Sequence, residues 1–217
     1  MTPLDPDRTL ALAYVPASRR PALEALWRLD AAFASVLSTN REPLIGRIRL
    51  AWWREALEKL DREPPPPEPV LSGLAALVLP AGVTGAELAE MEAGWAVLLA
   101  PDPLGEADLD LYASARGGCL FELSARLLGA GSALEQAGAR WALVDFARHC
   151  VDPRDSDAAM ALARDAESPR RWPPALRPLG MLAELARRDC EPGRPRWERQ
   201  GSPGRMLRML RHRITGK

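Results

Sequence analysis

Histidine, lysine and cysteine are scarce in this chain of 217 residues: His149 and His212, Lys59 and Lys217, and Cys119, Cys150 and Cys190. Three cysteines are too few and too odd for a disulfide framework, and no Cys-x2-Cys or His-x3-His spacing offers a zinc site. His149 and Cys150 are adjacent, so on a helix they point about 100° apart and cannot simply share one metal. A nucleophilic pair of Cys119 with His149 has only residue type in its favour. No apolar run approaches the roughly 20 residues of a membrane span, and the start, MTPLDPDR, lacks the hydrophobic segment of a secretory signal, so a cytoplasmic protein is expected. Alternation with period two is missing and β-branched residues are few, which argues against a sheet. What is present is apolar and helix-forming: 47% hydrophobic residues with zero formal net charge give collapse a driving force and exclude disorder for most of the chain.

The zero is a sum of unequal parts. Residues 64–135 hold two basic and ten acidic side chains, whereas residues 194–217 hold eight basic and one acidic. The basic end carries no aromatic interleaving and no known nucleic-acid module, so nucleic acid is not an expected partner.

Hydrophobic periodicity organises the chain into about nine or ten helices in one all-α domain spanning residues 1–217. Leu23, Leu26, Trp27, Leu29, Phe33 and Leu37 form a helical stripe behind Pro21. Behind Pro43, the stripe Leu44, Ile48, Trp52, Leu57 and Leu60 is expected inward, with Arg47, Arg54, Glu58 and Lys59 outward. Pro64 to Pro67 end that helix in a stiff connector. Thr84 with Glu87, and Ser132 with Glu135, have the spacing of capping boxes. A helix from about 106 to 128 contains Gly117-Gly118, where two glycines cost helix stability and imply a close helix approach or a kink beside a cavity. Asp152, Asp155 and Asp157 invite a hard-cation reading, but the glycine and glutamate of a calcium loop are missing, and a helix cap needs no metal. Ser202-Pro203 opens a basic helix at about 202–214. Its apolar residues Met206, Leu207, Leu210 and Ile214 share one side. They are expected either to dock on the bundle, with the arginines facing the acidic middle, or to lie on an anionic membrane surface.

The blocks Arg19–Trp27, Arg41–Glu55 (with Arg49-Leu50-Ala51-Trp52-Trp53-Arg54) and Leu111–Gly118 resemble the squalene/phytoene synthase-like family of head-to-head prenyl synthases. The resemblance implies an isoprenoid-synthase-type helical bundle around a central cavity. In catalytic members two aspartate-rich motifs hold Mg²⁺ against prenyl diphosphates. Here the first motif is expected on Ala34, Ser35 and Ser38, where no carboxylate remains, and the second around Asp152 and Asp155, interrupted by Pro153 and Arg154. The pattern is most similar to the non-catalytic branch that includes a mitochondrial complex I assembly factor. The resemblance by itself implies neither activity nor the assembly role; the expectation is a chain without prenyltransferase activity, with no catalytic residue and no cofactor, that binds an isoprenoid-like lipid or a protein partner. Arg49, Trp53, Tyr112 and Arg116 are the candidate substrate-binding residues, with buried ion pairing as the alternative role for the two arginines. The competing expectation is an active prenyl-diphosphate transferase that holds Mg²⁺ through Asp30, Asp152 and Asp155.

Overall fold

A computed structural model describes residues 3–39, 42–100, 103–131, 133–191 and 197–217. Eleven α-helical segments follow one another: α1 (Pro6–Ala13), α2 (Arg20–Thr39), α3 (Pro43–Lys59), α4 (Pro69–Leu77), α5 (Gly85–Ala96), α6 (Glu106–Leu111), α7 (Cys119–Leu127), α8 (Glu135–His149), α9 (Pro153–Asp165), α10 (Arg177–Asp189) and α11 (Pro203–Thr215). A π-helical segment, Tyr112–Gly118, joins α6 to α7 without a break, so the described residues form ten separate helices and no strand. None of these helices is long and apolar enough to cross a membrane.

Local chemistry sets the boundaries. Thr84 and Glu87 form the reciprocal capping box of α5, and the Asp61 carboxylate at the end of α3 accepts from the Gly85 and Ala86 amides at 2.6 and 3.0 Å. Asp152 caps α9 by accepting from the Arg154 amide at 2.8 Å, and Asp155 lies in that helix's first turn. Both acids thus stabilise a helix start, and no group of three His, Cys, Asp or Glu side chains among the described residues is arranged to hold a metal. Ser202 caps α11. The corresponding expectation for Ser132 lies outside the described residues.

The core sits between α2, the π segment and α8. Leu23, Leu26, Trp27, Leu29 and Phe33 of α2 are fully buried, and the Trp27 indole donates to Ser124 Oγ of α7 at 3.0 Å. The π segment packs on α8 through Gly117 and Gly138, and a Cβ added to either would overlap the other's carbonyl oxygen. The glycine pair therefore marks a close helix crossing.

Two expected faces are corrected. In α3 the buried stripe is Gly46, Leu50, Trp53, Ala56 and Leu57, while Leu44, Ile48 and Trp52 are exposed. Apolar residues occupy two adjoining faces of this helix, so periodicity alone cannot tell which one is covered. In α11 the packed residues are Arg205, Met209 and His212, whereas Met206, Leu207 and Ile214 face outward. The helix docks on α10 and α1 because the Arg205 guanidinium bridges Asp189 at 2.7 Å and Asp7 at 2.9 Å. The acidic middle of the chain takes no part in that docking pair.

Candidate functional site

Asp30 stands on the buried face of α2, where helical spacing from Leu26 and to Phe33 would ordinarily place another apolar side chain. It is fully buried and saturated with donors. Arg8 Nη2 of α1 reaches Oδ2 at 2.7 Å, and Arg116 of the π segment donates through Nε to Oδ1 at 2.9 Å and through Nη2 to Oδ2 at 3.1 Å. The Trp95 indole adds a bond to Oδ1 at 3.0 Å. Arg116 Nη2 also pairs with Asp145 Oδ2 of α8 at 2.8 Å, and Nη1 donates to the Tyr112 hydroxyl. The guanidinium carbon lies 4.2 Å from the Trp95 ring centroid and 4.8 Å from that of Trp141, so aromatic rings complete its surroundings.

These contacts fix the charge states. Burial alone would raise the Asp30 carboxyl, but Arg116 and Arg8 outweigh it and hold the group at about 2. Burial likewise opposes ionisation of Asp145, and the same two arginines still hold its pKa below the ordinary carboxylate value. Burial drives the Tyr112 phenol well above its usual range. Asp30 and Asp145 are therefore carboxylates, Arg116 is a guanidinium, and Tyr112 is a neutral phenol.

The network forms one wall of a cavity of about 700 Å³ between the chain start, α2 and the end of α8. Its remaining lining is mainly apolar, including Leu4, Ala31, Leu37, Leu98 and Phe146. Ala34, Ser35 and Ser38 line it directly, on the same helix face as Asp30. His149 also lines it, with Nδ1 2.8 Å from the Asp145 carbonyl oxygen.

The four candidate binding residues separate into two places. Tyr112 and Arg116 belong to the buried network, and Arg116 is ion-paired with Asp30 and Asp145 rather than with the acidic middle region. Arg49 and Trp53 border a different hollow of about 180 Å³ with Arg28, Val36 and Glu68; among the described residues Ser35 alone lines both. Trp53 is buried edge-on against Phe33, with ring centroids 6.0 Å apart. Asp152 and Asp155 do not line the 700 Å³ cavity. Cys119 is not there either: its thiol donates to the Glu87 carbonyl and burial pushes it up to about 12, so a thiolate partnership with His149 does not form.

Sequence reasoning overlooked Arg8, Trp95 and Asp145. Asp145 had a readable signal, an acid one turn beyond Trp141 and next to Val144 in an otherwise apolar stripe. Arg8 had none, because its partner is 22 residues away on another helix.

The helical bundle, with no strand among the described residues, is consistent with an isoprenoid-synthase-type fold. A family model described as squalene/phytoene synthase matches residues 2–157, and the chain belongs to that family. No curated protein and no solved structure gives a significant match.

The fit of the family's Mg²⁺ to this cavity is poor. Both oxygens of Asp30 are occupied by guanidinium and indole donors, Asp145 is held by Arg116, Asp5 accepts from the Arg8 amide and pairs with its guanidinium at 3.1 Å, and Ala34, Ser35 and Ser38 supply no carboxylate. A hard divalent cation wants several free oxygen ligands, and freeing Asp30 would strand Arg116 as a buried, half-paired cation.

Proposed function

We propose that this squalene/phytoene synthase-family protein is not a metal-dependent prenyltransferase, and that its cavity holds an uncharged isoprenoid-like lipid. The engagement of Asp30 and Asp145 by arginine carries this reading. Departure of a diphosphate requires cations held by carboxylates, and these two carboxylates already have theirs from the protein. The charges on the cavity wall also disfavour an anionic ligand. Asp5, Asp30 and Asp145 outnumber Arg8 and Arg116, leaving no positive surplus for a diphosphate. An apolar lining of this volume instead suits a flexible hydrocarbon chain.

The purified protein incubated with farnesyl diphosphate and millimolar Mg²⁺ is expected to release no diphosphate. Farnesol is expected to displace a fluorescent apolar probe saturably, and Ala34→Trp, which fills the cavity, to abolish that displacement. Mg²⁺-dependent diphosphate release would overturn the reading in favour of an active transferase.

A second reading, an assembly or adaptor factor, draws support from the exposed ridge of α3. Leu44, Ile48 and Trp52 follow one another at helical spacing and are 68%, 61% and 45% exposed, an apolar strip of the kind that protein interfaces cover. Ile48→Asp with Trp52→Ser is expected to leave the melting temperature within a few degrees of the unaltered chain. It is also expected to abolish retention of respiratory-complex subunits on immobilised protein. Retention that the double variant keeps would exclude α3 as the contact.

A further inference from the structure

On the side of the molecule formed by α8, α10, α11 and the segment before α10 lies a second cavity, of about 560 Å³. Six arginines line it, Arg140, Arg170, Arg187, Arg188, Arg208 and Arg211, together with Lys217, and Glu184 is the one acidic side chain among its described lining residues. Glu184 is already engaged by Arg187 at 2.8 Å, and Arg208 pairs with Glu198. Arg140, Arg170 and Arg211 pair with no carboxylate among the described residues. Only Arg140 lies within the span matched by the family model; the other five arginines are beyond it.

The site is built. Arg140 is buried, and its Nε and Nη1 are fixed by the Ala163 carbonyl and Ser168 Oγ, each at 2.9 Å, while Nη2 meets no acceptor among the described residues. Arg208 Nε is buried without a partner. His212, 2% exposed, rests edge-on against Trp172, and neither ring nitrogen has a hydrogen-bond partner in good geometry. The Lys217 backbone is near enough to favour its protonated form, but burial dominates and depresses its pKa. Unmet buried polar atoms are uncommon in folded proteins, and Arg208 and His212, which carry them, both line this cavity, where like charges repel one another. Guanidinium groups with free N–H edges match the oxygens of a phosphate in both shape and charge.

We propose that this cavity binds a phosphate-bearing group, a phosphomonoester or diphosphate, through Arg140, Arg170 and Arg211. Two sources of that group are compatible with its surroundings. Leu207 and Ile214 lie one turn to either side of Arg211 and are 69% and 76% exposed, so a lipid headgroup can enter with its chains against them. A free phosphate compound needs the arginines alone. The proposal involves none of the residues of the 700 Å³ cavity, so the two stand or fall separately.

Calorimetry with inorganic pyrophosphate at physiological salt provides the first arm, and flotation with phosphatidylcholine vesicles containing phosphatidic acid provides the second. Arg170→Ala with Arg211→Ala removes two exposed side chains and is expected to weaken binding at least tenfold. A control that removes equal charge elsewhere, Arg62→Ala with Arg154→Ala, is expected to leave it within twofold. Vesicle binding that pyrophosphate displaces and that Leu207→Ser with Ile214→Ser reduces assigns the headgroup as the source. Pyrophosphate binding without vesicle binding assigns a free phosphate compound. Equal loss in the control and site variants, or no saturable binding of either probe by the unaltered protein, overturns the proposal.

Discussion

Asp30→Asn is expected to lower the unfolding free energy by about 3 kcal/mol at pH 7, the low end of what removing one partner of a buried ion pair costs. The low end applies because Arg116 keeps Asp145 and Arg8 keeps Asp5, so neither cation is left wholly unpaired. The same variant should change the response to acid. In the folded protein Asp30 ionises at about 2, against 3.8 for an unperturbed aspartate. A depressed carboxyl stabilises the fold fully above the unfolded value and loses that contribution as pH falls through the folded value. Between about pH 4 and pH 2 the unaltered chain should therefore lose on the order of 2 kcal/mol from this group, while the asparagine variant loses none from that position. Urea unfolding of both proteins at pH 7 and in steps down to pH 3 reads this directly. The stability gap should narrow steadily on acidification. A constant gap would mean that Asp30 acts by shape and hydrogen bonding rather than by charge.

Much of this arrangement was legible in the sequence, for identifiable physical reasons. Caps are local, so the Thr84–Glu87 box and the Ser202 start of α11 follow from residue type and spacing. The stripe of α2 was legible because it is apolar on one face. In α3 and α11 it failed, since each carries apolar residues on more than one face, and an ion pair or a glycine contact decides which side is covered. Arg205 settles α11 through acids on α1 and α10, and Gly46 lets α3 approach Leu99. Ala34, Ser35 and Ser38 line the cavity on the face of α2 that carries Asp30. The internal neutralisation of Asp30 was not legible in the sequence, because it joins residues 22 and 86 positions apart.

Gly117→Ala should cost about 2–3 kcal/mol, although alanine is the better helix former. In an unconstrained helix the exchange gains up to about 1 kcal/mol. Here the added Cβ overlaps the Gly138 carbonyl oxygen and the Ala142 Cβ, atoms of a facing helix that no side-chain rotation can move aside. The π segment and α8 must then separate, and overpacking of this kind costs about 1–3 kcal/mol or more. Separation also withdraws Arg116, the neighbouring residue, from Asp145 across the same interface. Gly73→Ala is the contrasting case: its Cβ would meet only the Ala25 Cβ, at 3.9 Å, so helix propensity should prevail and the variant should gain about 0.5–1 kcal/mol. For a chain of this size each kilocalorie moves the melting temperature by about 2–4 °C, so calorimetry separates the two variants with opposite signs. Gly118→Ala should fall between them, because its Cβ would press chiefly on the Cγ of Glu135, a side chain able to swing away. Equal melting temperatures for Gly117→Ala and Gly73→Ala would refute the close crossing on which the position of Arg116, and with it the wall of the cavity, depends.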